Sequence, residues 1–355
     1  MLLQVHNRPD SRREEQPLLV ANPIISVVMP ALNEESVIAH CLESLAQQNF
    51  PSNAFEVIVV DNGSTDRTVE MALRFKQSLN LRILHSPGVR IAALRNWGAA
   101  AANAGLLAFL DADCVAPPHW LEKAVGLLRA DSSVVIGAHY MVPPGSSWVA
   151  RAWYGDQHRL KSGPVSYLPG GNLLMSRKLF QESGGFDETI DTNEDAELCG
   201  RLTSLGTPIV GVPCLSVIHL GTPQVLSVFF RKHRWQGNDV HRVFLRDIAH
   251  SRNRKAFFYA MFVLVCEVGA VIGLLLVIWT GNPRLLAASL SLLVSGPLLL
   301  ATGTVVRRRT WGLLAPLTLL FLVYGLARAV CLLGIKAPRR ARTPNEDASR
   351  LDLPA

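Results

Sequence analysis

Three stretches late in the chain, Ala256 to Trp279, Leu285 to Val306 and Trp311 to Ile335, are almost wholly apolar. Each exceeds the roughly 20 residues that a helix needs to cross a bilayer. A backbone immersed in lipid has few options besides a helix, so these stretches constrain the fold more than any other feature. Residues 256–335 therefore read as a membrane region with two or three transmembrane helices. The hydrophobic content of 49% and the mean hydropathy of +0.23 owe their excess to this region. Up to about residue 250 the composition is that of a globular domain. Residues 1–22 are polar and read as a flexible segment without the apolar run of a signal peptide. Residues 336–355 read as a polar tail.

The formal charge of +7 and the isoelectric point near 9.3 are explained by where the basic residues sit. Between Arg231 and Lys255 there are eight Lys or Arg and two acids, directly before the apolar region. Such placement marks a cytoplasmic flank in contact with anionic lipid. Within it Val240, Val243, Phe244 and Ile248 form a helical stripe, so residues 223–255 read as a basic amphipathic interfacial linker. No zinc-finger spacing, RNP-like aromatic motif or helix-turn-helix is present, and nucleic acid is not an expected partner. Cys41, Cys114, Cys199, Cys214, Cys266 and Cys331 show no paired spacing, which fits reduced thiols in a cytosol-facing domain.

The globular part alternates strand and helix. "IISVVMP" (24–30), "FEVIVVDNG" (55–63), "LRILHS" (81–86) and "LLAFL" (106–110) read as strands. Between them "SVIAHCLESLAQQ" (36–48), Thr68 to about Leu79, and "ALRNWGAAAANAG" (93–105) read as helices. This is the pattern of βαβ units and a parallel sheet. Further on, "SVVIGAHYM" and "NLLMS" are expected strands around the glycine-rich turn "YLPGGN" (167–172). A helix is expected over 192–206 and another strand at "PIVGVP" (208–213).

Ligands of such sheets bind at the carboxyl ends of the strands, and there the carboxylates gather. The buried run "LLAFL" ends in Asp111 and Asp113, which share one face if the strand continues. Two carboxylates at a strand end suit a hard divalent cation that also carries substrate phosphates; the plainer alternative is a solvated turn capping the next helix. Pro30 is followed by "ALNEE", and the second strand delivers Asp61, with Gly63 permitting a tight turn close to a ligand. Ser36, Asp66 and Thr68 are assigned to turn and cap chemistry.

In order along the chain, "SVVMPALNEE", "VIVVDNGSTDRT", "ALRNWGAA", "FLDADC", "LPGGNLLMSRKLFQESGGFDE" and "NEDAELCGRL" resemble family 2 glycosyltransferases over about residues 24–235. The resemblance implies an α/β GT-A fold, a Rossmann-like nucleotide half joined to an acceptor half in one continuous mixed sheet spanning residues 23–222, followed by the helical membrane region. It implies transfer of a sugar from a nucleotide diphosphate donor, UDP- or GDP-linked, with inversion and with Mn2+ or Mg2+ as cofactor. Matched residue by residue, Pro30, Asn33, Glu34, Asp61, Arg95 and Asp111 fall on the nucleotide-sugar side, Asp113 on the metal, and His219 is a possible further ligand. Gly170, Gly171, Asn172, Glu194, Arg234 and Trp235 fall beside the donor sugar and acceptor. Asp195 matches the catalytic base, although Glu194 and Glu197 lie close by and acids collect at helix N-termini for electrostatic reasons.

Two departures stand out. "RIAAL" carries Arg90 and Leu94 where the family often has Gly and Ala, and Arg90 is expected either near the diphosphate or in solvent. "RKHRWQGND" keeps Arg234 and Trp235 but has Arg231 where processive synthases carry Gln, which argues against polymerisation. A lipid-linked or glycan acceptor suits a membrane anchor, and the expected location is the cytoplasmic (inner) membrane, multi-pass, with the enzyme domain facing the cytoplasm. The alternative is a non-catalytic membrane-bound scaffold or sensor for a nucleotide sugar, which would need no base such as Asp195. Three spans would place "KAPRRAR" (336–342) outside, against the positive-inside tendency. Either that bias is overridden or one stretch is re-entrant, with Pro297, Pro316 or Gly325 as break points. Glu267 and Arg328, costly in a bilayer, are expected to pair or to face the preceding domain.

Overall fold

The computed structural model describes residues 22–155, 162–238 and 253–332. The N-terminal segment, the stripe from Val240 to Ile248 and the C-terminal tail lie outside the described residues.

Strands β1 (Ile25–Ala31), β2 (Phe55–Asp61) and β4 (Leu106–Leu110) are buried along their whole length. Their near-continuous apolar sequence is what a parallel strand covered on both faces requires. With β3 (Leu81–His85) they form the parallel half of an eight-stranded sheet of order β3-β2-β1-β4-β8-β6-β9-β7. Helices α1 (Ile38–Ala46), α2 (Thr68–Leu73) and α3 (Ile91–Ala101) make the connections. Because β1 pairs in parallel with both β2 and β4, the strand order reverses there and opens a crevice at the carboxyl ends.

The second half is mixed. β8 (Asn172–Ser176) runs antiparallel to both β4 and β6 (Val135–Gly137), β9 (Ile209–Gly211) is parallel to β6, and β7 (Gly163–Pro164) closes the edge. β5 (Cys114–Val115) and β10 (Ile218–His219) pair separately. One apolar layer gathers α1 and α4 (Trp120–Ala130) on the sheet. The other gathers α3, α6 (Arg177–Glu182) and α7 (Glu194–Ser204). Gly98 lets α3 lie close, since a Cβ there would run into Val28 Cγ1.

Two expected elements are shorter than their patterns suggest. The helix from Thr68 ends at Leu73 and continues as turns. Of "SVVIGAHYM" only Val135–Gly137 joins the sheet, because the Met141 N–H and carbonyl bond to Val217 and His219 and draw the chain towards β10.

Helices α5 (Trp148–Tyr154) and α8 (Leu226–Trp235) pack on the C-terminal region through Val149, Phe229, Ala301, Val305 and Leu317. That region is three helices, α9 (Asn253–Thr280), α10 (Pro283–Arg308) and α11 (Leu314–Leu332). Met261–Thr280, Pro283–Arg308 and Trp311–Cys331 are long and apolar enough to span a membrane. α10 runs through Pro297 unbroken, Pro316 sits in the first turn of α11, where proline is tolerated, and Gly325 lies inside it. None of the three expected break points interrupts a helix. Gly273, Gly296 and Gly325 lie where a Cβ would strike Ser289, Phe262 and Val263 of neighbouring helices, the close approach that small residues permit in membrane bundles. Arg328 does not pair with Glu267 among the described residues; it donates to the Gln236 carbonyl (2.6 Å) and sits over the Tyr324 ring. Arg328 thus faces the preceding domain.

Candidate active site

At the end of β1, Pro30 is buried in the sheet and Asn33 turns the chain with φ 54°. The Asn33 N–H donates to Ser64 Oγ (3.0 Å), and its side-chain oxygen accepts from Thr65 N–H (2.9 Å). Glu34, almost fully buried, donates its N–H to Thr68 Oγ1 (2.7 Å), and Glu35 N–H reaches Asp66 Oδ2 (3.2 Å). Asp66 and Thr68 thus bind the loop after β1 to the loop after β2. Asp61 is buried at the β2 terminus, accepts from the N–H groups of Gly63 (3.1 Å) and Ser64 (3.2 Å), and lies 2.9 Å from His85 Nδ1.

Beyond β4, Asp111 accepts from the Arg95 guanidinium (2.8 Å) and from the Tyr140 hydroxyl (3.1 Å). Asp113 is buried, with its Oδ2 3.7 Å from His219 Nε2. Ligand atoms of Asp111, Asp113 and His219 all lie within 4.8 Å of one another. β10 brings His219 to this point by pairing it opposite Cys114. Burial holds the His219 imidazole below its usual pKa, against the opposing charge of Asp113, and so favours the neutral form that ligates metals. Its Nδ1 is buried without a hydrogen-bond partner among the described residues. Two carboxylates and a neutral imidazole fit a divalent cation such as Mn2+ or Mg2+.

The third side of the cleft is the start of α7, entered through Asn193 in the left-handed region (φ 66°). The adjacent acids have different surroundings. Glu194 is buried and ion-paired with Arg95, and burial first, then the Asp195 charge, push its carboxyl up against the pull of Arg95. Glu197 is held by Arg201 (2.8 Å). Asp195 accepts from the Tyr167 hydroxyl (2.8 Å), Gly170 N–H (2.9 Å) and Ala196 N–H (2.8 Å), with no cation on it among the described residues.

Arg95 is buried and joins Asp111 to Glu194, so both its charge partners are protein carboxylates. Gly170 and Gly171 pack directly on this unit: a Cβ on Gly170 would press on the Arg95 guanidinium, and one on Gly171 would overlap Asp111 and the Tyr140 hydroxyl. The Asn172 side chain is in the core, accepting from Trp120 Nε1 (3.1 Å) and donating to the carbonyls of Ala138 (3.0 Å) and Leu215 (2.7 Å). Its amide therefore secures the turn from behind. Arg90 is ion-paired with Asp191 and donates to the Glu188 carbonyl (3.0 Å). Arg234 and Trp235 are half-buried at the end of α8.

The matching family models decide what this cleft belongs to. Residues 26–184 match "Glycosyl transferase family 2", and residues 106–329, well over half of the chain, match "Glycosyl transferase family group 2". The chain is a family 2 glycosyltransferase. It is 27% identical over 249 residues to glycosyltransferase AglE of Haloferax volcanii, covering 68% of this chain and 81% of that one. It is 35% identical over 223 residues to validoxylamine A glucosyltransferase of Streptomyces hygroscopicus subsp. limoneus, covering 53% and 49%; the glycosyltransferase thus spans about half the length of that relative. Mannosyltransferase PcManGT from Pyrobaculum calidifontis, solved with GDP-Man and Mn2+, superposes with a TM-score of 0.56 at 18% identity, over 88% of this chain and 91% of that one. The likeness shows the GT-A fold.

Three residues of the glycosyltransferase site escape a sequence reading. Tyr140 and Tyr167 each place a hydroxyl on a candidate carboxylate. Lys232, on α8, donates to the Gly221 carbonyl (3.3 Å), and Gly221 packs on Asp113. Tyr167 stands just before the glycine turn, which is a local signal. Tyr140 and Lys232 arrive only through the tertiary fold.

Proposed function

We propose that this glycosyltransferase moves a sugar, with inversion, from a UDP- or GDP-linked donor to a lipid-linked or glycan acceptor at the cytoplasmic membrane, its globular domain on the cytoplasmic side. The observation that carries the reading is the meeting of Asp111, Asp113 and His219 at the strand-order reversal, with Asp195 tied to them through Arg95, Glu194 and the Gly170 turn. Asp111, Asp113 and His219 are the residues to hold a divalent cation, which when bound stabilises charge on the leaving diphosphate. The ends of β1 and β2, with Pro30, Asn33, Glu34 and Asp61, border the nucleoside. Asp195 is the group to take the proton of the attacking hydroxyl, because Tyr167 and Gly170 orient it and no cation is ion-paired with it among the described residues. Arg95 holds the two sides of the cleft in register. Arg234 and Trp235 face the acceptor side.

The test is nucleoside diphosphate release by the full chain in nanodiscs, over a panel of UDP- and GDP-sugars, with Mn2+, Mg2+ or EDTA. Release from one donor should require the metal and rise with membrane lipid extract. D113N and D195N should each lower it by a factor on the order of 10²–10⁴. Tight donor binding with no release under any condition would instead support the sensor reading.

A further inference from the structure

Asp61 ends β2, and His85 ends the neighbouring edge strand β3, paired opposite it in the sheet. Both therefore stand at the carboxyl edge of the parallel half, where ligands of such sheets bind. Their exposure differs sharply. The Asp61 side chain has no exposed surface, whereas that of His85 is 65% exposed. Asp61 accepts from the Gly63 and Ser64 N–H groups of its own loop, and His85 Nδ1 lies 2.9 Å from its Oδ2. The turn after His85 closes the same corner. Ser86 N–H donates to the Asp61 carbonyl (2.8 Å), and a Cβ on Gly63 would run into Pro87. A carboxylate enclosed in this way offers no surface to a ligand. The group that the corner turns outward is the imidazole.

Asp61 also decides which ring nitrogen carries the proton. A nitrogen lone pair cannot face a carboxylate oxygen at 2.9 Å, so Nδ1 is the protonated one, and the neutral ring keeps Nε2 as a hydrogen-bond acceptor. An acceptor fixed in this way selects among nucleobases. On their pairing edges uracil and guanine carry a proton on the ring nitrogen, whereas cytosine and adenine carry a lone pair there. Changing the tautomer to suit the second pair would turn the Nδ1 lone pair onto the Asp61 carboxylate. We propose that His85, held by Asp61, contacts the nucleobase of the donor and favours uracil or guanine over cytosine or adenine. The proposal rests on the reading of the β1 and β2 ends as the nucleoside site.

The experiment is calorimetric titration of the full chain in nanodiscs, with Mn2+ at pH 8, using UDP, CDP, GDP and ADP as probes. Wild type should bind UDP more tightly than CDP, or GDP more tightly than ADP, by roughly ten-fold or more. H85F keeps a ring over Asp61 and removes the acceptor, and should bring that ratio to within about two-fold. H85Q returns a carbonyl acceptor and should hold the ratio above that of H85F. Melting curves show that each variant is folded. The wild-type ratio persisting in folded H85F would overturn the assignment and return the contact to Asp61. H85Q no better than H85F would show that ring shape sets the preference, and would overturn the fixed acceptor. Equal or tighter binding of CDP and ADP by wild type would overturn the proposal without any variant. Binding of none of the four is a different outcome: it would refute the nucleotide-donor reading itself, and His85 would fall with it.

Discussion

At the scale of single residues, the site depends on glycines as much as on carboxylates. Gly170 and Gly171 have no positive φ, so what demands glycine is space for Arg95 and Asp111. The Tyr140 hydroxyl accepts from Gly171 N–H (3.1 Å) and donates to Asp111 (3.1 Å), so the turn and the carboxylate share one hydroxyl. In G171A the new methyl must displace Asp111 or the turn. Transfer should fall by a factor on the order of 10–10², since small misplacements cost that much. Steady-state release with saturating Mn2+, beside a melting curve, checks it; unchanged kcat in a folded variant would show that Asp111 tolerates movement. Asp111 and Asp113 stand out in the sequence because they follow a recognisable strand, and Asp195 because it falls on the base position of the family that the chain resembles. The choice among the neighbouring acids was not legible there, because it turns on Arg95, Arg201 and Tyr167, and their contacts follow from packing. Arg95 itself matched the nucleotide side but is committed to carboxylates, which only the approach of α3 to α7 reveals.

At the scale of elements, the parallel half was readable and the mixed half less so. β1, β2 and β4 carry continuous apolar runs that report burial on both faces. β6, β7, β9 and β10 are two or three residues long and owe their existence to partners distant in sequence. The opposite end of the parallel half is held by Glu56, buried on β2. It accepts from Ser26 Oγ of β1 (2.6 Å) and Asn103 N–H (2.6 Å), and it pairs with Arg82 of β3 (2.9 Å). Burial alone would raise its carboxyl, but Ser26, Asn103 and Arg82 outweigh that and hold it below its ordinary value. At acidic pH the unfolded chain therefore binds the proton more readily, so this stabilisation is present above the ordinary carboxylate value and is lost as pH falls through the folded one. E56Q should cost about 1–3 kcal/mol at pH 7, and its melting-temperature deficit should shrink as pH falls below about 4.5. A deficit of constant size from pH 7 to pH 4 would mean that shape, and not charge, is what Glu56 supplies.

At the scale of the whole molecule, the Gln236 carbonyl joins the membrane region to the start of α7. It accepts from Arg328 of α11 (2.6 Å), from Asn193 Nδ2 (3.1 Å) and from Thr192 Oγ1 (3.4 Å). Asn193 is the left-handed residue that sets the direction of α7, with Glu194 and Asp195 following at once. Around this joint, Trp153, Phe229, His233, Phe321 and Tyr324 pack ring on ring across α5, α8 and α11. The membrane helix is therefore part of the scaffold that aims the acids, and a tether alone would need no such contact. R328Q removes the guanidinium from a carbonyl that Thr192 and Asn193, just before α7, share. If α11 positions α7, kcat for nucleoside diphosphate release should drop roughly ten-fold while KM for the donor stays near wild type, because Asp195, the proposed base, shifts and the proposed nucleotide pocket at β1 and β2 does not. A parallel rise in KM would instead point to a general loosening of the domain. An unchanged kcat in a folded R328Q would reduce α11 to an anchor, and the enzyme half should then keep its full rate when held to the membrane by any other means.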